Sequence, residues 1–455
     1  MGKVVTGVRS TQRPLIPDVE DWERHELTFL RGIAYKAKSK PDYRFRDLSR
    51  LLDKPLLEHC FKRLNKRAAA GVDKVTYQDY QVKLTANLDD LISRLKRGAY
   101  RARLVKRKHI PKSPGKTRAL GIPVLEDKLV QMAVSALLSA IYEQDFQPFS
   151  YGYRPRRGAR EAADELTVRM QFGKFGYVVE ADIKGFFNHL DHDQLLAMVA
   201  QRVDDKRFIR LIGKWLKAGI LEEDGDILYP EEGTPQGGSI SPVLANIYLH
   251  HVLDDWFQNV VKPRSEGEAI MCRYADDLVC CFQYARDAER FYKVLPKRLG
   301  NYNLEVAPEK TQTLRFSRFK PGIQHQFSFL SFEFYWSKDK SGKARLFRRT
   351  GRQKLQSVRR DLKDYVKENR HMKTRDLLIK LTEKLRGHYN YFGVVGNLSE
   401  LWKVHSHVVT LLYKWLNRRS GRKSLTWDAL KQRLLLKPLP RPVCQVRVGE
   451  RREWW

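Results

Sequence analysis

Ala269-Ile270-Met271-Cys272-Arg273-Tyr274-Ala275-Asp276-Asp277-Leu278-Val279-Cys280-Cys281-Phe282 sets two adjacent carboxylates between two short apolar runs. The runs are rich in Val, Phe and Cys and too short for helices, so the stretch reads as a β-hairpin with Asp276 and Asp277 at its tip. Carboxylates in such a place can hold metal ions. Successive strand side chains point to opposite faces, so the two share one task only if the turn twists one of them round.

A third carboxylate lies upstream. Val178-Val179-Glu180-Ala181-Asp182-Ile183-Lys184-Gly185-Phe186-Phe187 ends an apolar strand on Asp182, just before a glycine turn and paired aromatics. Two-metal phosphoryl transfer needs acidic ligands from separate strands, so that two cations about 3.5–4 Å apart can stabilise the attacking and leaving oxygens. Asp182 with Asp276 meets that need. Between them, Gly233-Thr234-Pro235-Gln236-Gly237-Gly238-Ser239-Ile240-Ser241-Pro242 precedes an apolar helix from Val243 to Leu249. Its glycines allow close backbone approach to a flat or phosphorylated ligand, and Gln236 offers both a donor and an acceptor.

Composition narrows the partner. The 455 residues carry 86 Lys and Arg against 53 Asp and Glu, a formal net charge of +33. Such a field attracts a polyanion at long range, and nucleic acid is the expected partner. With 42% apolar and 11% aromatic residues the chain should fold into two to four domains. No apolar run is long enough to span a bilayer, and residues 1–40 lack the apolar core of a secretory signal, so no membrane partner and a cytoplasmic location in a bacterial cell are expected. The five cysteines, Cys60, Cys272, Cys280, Cys281 and Cys444, contain no C-x-x-C pair and read as core hydrophobes in a reducing compartment, not as zinc ligands.

Along the chain, residues 1–50 read as a weakly periodic N-terminal extension, with Trp22 and Phe29 as candidate anchors. Helical patterns then flank Gly71-Val72-Asp73-Lys74-Val75-Thr76, where glycine and the Asp/Thr pair mark a loop and a capped helix start. The stretch from Leu104 to Pro123 is a basic hairpin with Ser113-Pro114-Gly115-Lys116 at its tip, followed by a helix from Asp127 to Tyr142. Strands are expected at Tyr177–Ile183, Ala269–Arg273, Leu278–Phe282 and Gln312–Phe316. Beyond Lys338, Leu355, Val358, Leu362, Val366 and then Leu377, Leu381, Leu385 recur at helical spacing among many Lys and Arg, so an all-α basic domain is expected. Pro438-Leu439-Pro440-Arg441-Pro442 breaks helix and opens a short tail.

In the order Asp182 strand, Pro235-Gln236-Gly237-Gly238 loop, Tyr274-Ala275-Asp276-Asp277 hairpin, the chain resembles the reverse transcriptases encoded by group II introns. The resemblance extends through Gly71-Val72-Asp73, Ile110-Pro111-Lys112, Gly121-Ile122-Pro123, Ser150-Tyr151-Gly152-Tyr153-Arg154-Pro155, Pro308-Glu309-Lys310-Thr311 and Leu385-Arg386-Gly387-His388-Tyr389-Asn390-Tyr391-Phe392. It implies an α+β right-hand polymerase, with fingers at residues 51–176, palm at 177–337, an all-α basic thumb or maturase domain at 338–437 and a tail at 438–455. It also implies that Asp182, Asp276 and Asp277, with the Ile183 carbonyl, hold two Mg²⁺ ions, with Mn²⁺ as a substitute. Lys112 and Arg118 would hold the incoming triphosphate, Gln236 would contact the nucleotide, Phe187 would stack under the sugar, and Lys310 would protonate the leaving pyrophosphate. Phe186 is the alternative to Phe187, because only one of two neighbours in an extended segment can face the nucleotide.

The implied partners are a structured intron RNA as template, a DNA primer and dNTPs, with a homodimer left open. Asn188 stands where the family often has Asp, and Ser331 where it usually has Gly, in a turn that would grip the primer. No Cys/His spacing of an H-N-H endonuclease follows Leu439, so target cleavage is not expected. The expected function is an RNA-directed DNA polymerase that assists splicing of its own intron RNA and copies it. A domesticated repair or antiviral-defence enzyme is the alternative, and a non-catalytic RNA-binding splicing factor the alternative of another class. RNA-templated RNA synthesis is weaker, since a bulky Phe187 disfavours ribonucleotides.

Overall fold

The computed structural model describes residues 28–113, 116–234, 237–319, 325–419 and 425–444, with the backbone alone at 111–113 and 116. Expectations that fall on Trp22, on Gln236 and on the tail beyond residue 444 lie outside these residues. Eleven strands are described: β1 Val105–Ser113, β2 Lys116–Ile122, β3 Tyr177–Ala181, β4 Ile220–Leu221, β5 Ile227–Leu228, β6 Ala269–Tyr274, β7 Asp277–Phe282, β8 Gln312–Arg315, β9 Gln326–Phe329, β10 Phe332–Lys338 and β11 Ala344–Thr350. The mixture of helix and sheet agrees with the α+β expectation, and the described residues form two compact units, 28–162 with 179–313, and 163–178 with 314–444.

In the first unit the helix Leu125–Tyr142 is buried along almost its whole length. A helix apolar on every side can only be a core element, and this one needs no polar face. The helix Ser241–Leu249 is buried in the same way and continues into wider π-type turns at His250–Asp254 and Phe257–Val261. Strands β1 and β2 pair antiparallel, with a bulge between Pro111 and Ser113, and belong to a sheet of order β2-β1-β4-β5. A second sheet, of order β6-β7-β3-β8, carries the acidic hairpin. Cys272, Cys280 and Cys281 are buried in that hairpin, as the packing reading expects, and none of the five cysteines is in a disulfide. Thr76 caps the helix Tyr77–Val82 in a reciprocal box with Asp79, the start that the Asp/Thr pair marked. Among the described residues of the N-terminal extension, Thr28–Ser39 forms an α-helix that the weak periodicity hid; it buries Leu30, Ile33 and Ala37, with Phe29 only half-buried.

The second unit corrects the expectation of an all-α region from Lys338. Helix begins only at Arg352, and Ala344–Thr350 pairs with β10 in a three-stranded sheet of order β11-β10-β9. Alternation explains it: Leu346, Arg348 and Thr350 are buried on one face while Arg345 and Arg349 stay more open, a period of two that the crowd of basic residues conceals. The edge of β11 is closed by two side chains: the Gln171 amide accepts from Leu346 N–H at 2.8 Å and donates to the Ala344 carbonyl at 3.3 Å, and Asn397 Oδ1 accepts from Thr350 N–H at 2.8 Å. Of the expected stripe on Arg352–Glu368, Leu362 and Val366 are buried and Leu355 and Val358 only half-buried, while Leu377, Leu381 and Leu385 are all buried on Thr374–Phe392. Among the described residues no helix is long and apolar enough to cross a membrane.

Between β9 and β10 the two-residue turn Leu330-Ser331 has φ of 51° and 67°. Two positive φ values are what a tight hairpin turn demands, and they favour Asn-Gly over Leu-Ser. The turn is held by the Tyr391 hydroxyl, which donates to the Leu330 carbonyl at 2.9 Å, and by the Gly351 N–H, which donates to the Ser331 carbonyl at 2.9 Å. Glycine at residue 331 relieves the left-handed strain of a Cβ, worth about 1 kcal/mol. Ser331→Gly should therefore raise the thermal and denaturant midpoints of this protein, and a lowered midpoint would show that the turn carries no strain.

Candidate active site

Strand β3 ends at Ala181, and the next residue is Asp182, whose carbonyl accepts from Ala307 N–H at 2.8 Å while Lys184 N–H donates to the Glu305 carbonyl at 2.9 Å. These two bonds make the antiparallel bridge Ile183 to Val306, and they leave the Ile183 carbonyl outside it. Gly185, at φ 57°, then turns the chain into a short helical turn over Phe186–Asn188. The turn parts the aromatic pair: Phe186 is buried at 2% exposure, while Phe187 stays half-open.

The acidic hairpin closes on two residues, with Tyr274 paired to Asp277 and Ala275 at φ 55°. The left-handed turn at Ala275 supplies the twist that adjacency of Asp276 and Asp277 required, and both carboxyls come within electrostatic reach of Asp182. Burial, and then the charge of Asp182, raises the Asp276 carboxyl above its ordinary value against the pull of Arg118 and Lys310. Asp277 is open as a residue, yet its carboxyl is crowded, and desolvation followed by the charge of Asp276 pushes it up to about 7. Lys310, on the turn Pro308–Lys310, gives its ammonium to Asp182 Oδ2, and that bond holds the lysine above its usual value. The cluster is thus three carboxylates facing one direct cation, and it is short of positive charge.

Among the described residues no three His, Cys, Asp or Glu side chains converge into a ready-made cation cage. A small hard cation needs none, because Mg²⁺ commonly takes one or two carboxylates and completes its shell with water and substrate oxygens. The donor set fits on chemistry: a divalent cation among crowded carboxylates would offset their mutual repulsion.

The glycine loop is held against the turn that follows Asp182. Thr234 N–H donates to the Phe187 carbonyl at 2.8 Å and Gly233 N–H to the Leu190 carbonyl at 2.7 Å. A Cβ on Gly233 would stand 2.7 Å from the Asn188 carbonyl oxygen, and one on Gly237 would stand 2.4 Å from that of Gly121, so both approaches require glycine. Gln236 lies outside the described residues, but the ends of its loop are fixed between the Phe187 turn and β2. Arg118, exposed on β2 and paired with Ile110, lies within electrostatic reach of Asp276. Lys112 occupies the bulge of β1 at the basic tip.

Two participants carried no assigned role in the sequence. Arg273 is a fully buried cation whose Nε donates to Asp254 Oδ1 at 2.7 Å, whose Nη1 donates to the Ala275 carbonyl at 3.0 Å and whose Nη2 donates to Ser150 Oγ at 2.7 Å. The signal was a lone charge inside an apolar strand, next to the turn. Tyr153 stands with its ring edge-on to Phe187, centroids 6.4 Å apart, and burial followed by the Asp276 charge raises its phenol.

The profile of the reverse transcriptase (RNA-dependent DNA polymerase) family matches residues 110–334, and that of the group II intron maturase-specific domain matches residues 355–434. The chain is 35% identical over 283 residues to the protein YkfC of Escherichia coli, covering 55% of this chain and 74% of that protein. It is 41% identical over 180 residues to the group II intron-encoded protein LtrA of Lactococcus lactis, covering 39% of this chain and 29% of LtrA. An uncharacterized 91 kDa protein in the cob intron of Schizosaccharomyces pombe is 39% identical over 173 residues, 38% of this chain and 21% of that protein. The match thus spans about three-quarters of YkfC and under a third of the LtrA length. On these matches, and on the order of its two domains, the chain belongs to the group II intron reverse transcriptase and maturase family.

Proposed function

We propose that this chain is an RNA-directed DNA polymerase of the group II intron type, which binds a structured intron RNA, assists its splicing and copies RNA into cDNA. The observation that carries the reading is the meeting of Asp182, Asp276 and Asp277 with Lys310, in a chain whose later helices match a maturase-specific domain. Three carboxylates kept together at a cost in repulsion argue against a palm that survives only as a scaffold. In the right-hand arrangement the basic hairpin β1–β2 belongs to the fingers, the acidic hairpin to the palm, and the helices from Arg352 onward to the thumb.

Asp182, Asp276 and Asp277, with the Ile183 carbonyl, would hold two divalent cations, Mg²⁺ or in its place Mn²⁺, which when bound stabilise the attacking and leaving oxygens of an in-line displacement. Lys112 and Arg118 neutralise the triphosphate of a dNTP, and the planar guanidinium can grip it with two parallel bonds. Phe187 forms the floor beneath the sugar, where a rigid ring leaves no room for a 2′-hydroxyl, and Gln236 contacts the same nucleotide. Lys310 is held protonated by Asp182, so it carries a proton that the leaving pyrophosphate can take. The net charge of +33 draws the template RNA and DNA primer toward the chain.

Primer extension on an RNA template tests the reading. Asp182→Ala or Asp276→Ala should abolish extension while RNA affinity stays near wild type, because the cation ligands serve phosphoryl transfer and the basic surface serves binding. Retained synthesis in either variant would overturn the carboxylate assignment. Arg118→Ala and Lys112→Ala should each raise the dNTP KM, since a charge-assisted phosphate bond is worth about 1.5–3 kcal/mol, and an unchanged KM in both would remove the fingers from the nucleotide site. Arg359, Arg360, Lys363 and Lys367 are exposed on the helix Arg352–Glu368, away from its buried Leu362 and Val366. Replacing all four by Gln should weaken RNA binding and flatten the slope of log K against log salt by roughly 0.7–0.9 for each phosphate no longer neutralised. The same slope in both proteins would place the RNA elsewhere.

A further inference from the structure

The wall beneath the sugar does not stand alone. Phe187 is fixed through its backbone by the Thr234 N–H, but its half-open ring is steadied by neighbouring aromatics, Phe186 at 5.3 Å and Tyr153 at 6.4 Å between centroids, both edge-on. Phe186 belongs to the core. Tyr153 comes from a separate segment, the Ser150–Arg154 loop, and that loop is tied down along its whole length.

Its anchors come from both sides. Ser150 Oγ accepts from Arg273 Nη2 at 2.7 Å, and Tyr151 N–H donates to the Arg273 carbonyl at 2.9 Å. The Gly152 carbonyl accepts from Asn246 Nδ2 at 2.7 Å, and the backbone there lies so near the hairpin tip that a Cβ on Gly152 would stand 2.2 Å from the Ala275 nitrogen. On the far side the buried Arg154 donates to the carbonyls of Gln147 and Ser150 at 2.8 Å each and pairs with Glu143 at 3.0 Å. Tyr153 itself sits between these anchors at φ 58°, a left-handed backbone that a bulky side chain rarely adopts. An aromatic residue kept in a strained conformation, with its ring directed at one other ring, points to a positional task.

We propose that Tyr153 is a specificity-determining positioning residue: its ring buttresses the edge of Phe187, fixes the height of that ring, and so sets how strictly the enzyme rejects a ribonucleotide. The inference rests on the reading of Phe187 as the floor beneath the sugar. An unsupported phenyl ring can tilt by a rotation about its side-chain bonds, and a tilt of a few tenths of an ångström is enough to admit one hydroxyl oxygen. Tyr153 touches Phe187 and acts through it; no bond from its hydroxyl is needed. Shape is the operative property, so phenylalanine at this position should do nearly as well.

The test is steady-state incorporation of a dNTP and the matching rNTP on an RNA template by the full chain, with Tyr153→Ala, Tyr153→Phe and Phe187→Val made in parallel. Tyr153→Ala should lower the ratio of kcat/KM for dNTP over rNTP by about tenfold or more, mainly through a fall in the rNTP KM, the scale on which pocket shape discriminates between closely similar substrates. Tyr153→Phe should keep the wild-type ratio to within about threefold, as a pocket that reads shape and not a hydrogen bond permits. A purely structural defect would instead depress kcat for both substrates and leave the ratio alone. If Phe187→Val admits ribonucleotides and Tyr153→Ala does not, the buttress is overturned while the floor survives. If Phe187→Val also leaves the ratio unchanged, both fall. Should Tyr153→Ala fail to fold, as read from its melting curve, Tyr153→Leu takes its place, since Leu retains apolar bulk without the flat edge; an unchanged ratio there overturns the proposal.

Discussion

Arg273 and Asp254 form an ion pair in which both side chains are wholly removed from water. Taking two charges out of water is costly, and such a pair persists only when its geometry is good and the remaining donors are satisfied. Here they are: the guanidinium also reaches Asn246 Oδ1 at 3.3 Å, the Ala275 carbonyl and Ser150 Oγ. One side chain therefore binds the wide turn after the helix Ser241–Leu249, the loop that ends at Arg154 and the tip of the acidic hairpin. Removing either charge would strand the other in a low-dielectric interior, with a penalty of about 3–5 kcal/mol, so the three elements hold together or fail together. The position of Asp276, one residue beyond the carbonyl that Arg273 grips, is a consequence of that pair.

Above this balanced pair lies a cluster that is unbalanced. Asp182, Asp276 and Asp277 crowd together, Lys310 answers only one of them, and the result is two carboxyls raised above their ordinary values. The contrast between the layers is informative. The Arg273–Asp254 pair is satisfied within the protein, whereas the acidic cluster, on the proposed reading, is completed from outside. On that reading the same logic holds at the scale of the whole molecule, whose surplus of 33 positive charges would attract a polyanion while its acidic centre would take a cation.

Much of this was legible in the residues. The strands around the site lie within two residues of their expected limits, because short Val-, Phe- and Cys-rich runs between turn residues have few other ways to fold. The hairpin and the strand-end place of Asp182 follow from the same patterns, but the tip is Ala275-Asp276 alone, because Asp277, expected there too, is the first residue of β7 and pairs with Tyr274. What escaped was of three kinds. Ala344–Thr350 hid its alternation under Arg345, Arg348 and Arg349, since basic side chains at both kinds of position blur a period of two, and the buried Arg348 is paired to Asp164, more than 180 positions earlier. The choice between Phe186 and Phe187 depended on a turn, not on a pattern: an extended chain would send them to opposite faces, and the helical turn after Gly185 decides which of them is buried. Arg273 could be noticed as a charge in an apolar strand, but its partners lie 19 and 123 positions away, and no local rule connects them.

Backbone strain is also found where those long-range bonds end. Ala275 and Tyr153, neither of them glycine, hold φ of 55° and 58° on the two segments that Arg273 joins. A left-handed residue with a Cβ costs roughly 1–2 kcal/mol and persists only where its surroundings over-determine it. The buried guanidinium supplies that over-determination, since it accepts no rearrangement that would leave one of its donors unmet. Glycine at either position would lower the strain and also loosen the segment. The chain keeps alanine behind Asp276 and Asp277 and tyrosine beside Phe187, which is the choice expected if, on the proposed reading, rigidity at this site matters more to the protein than ease of folding.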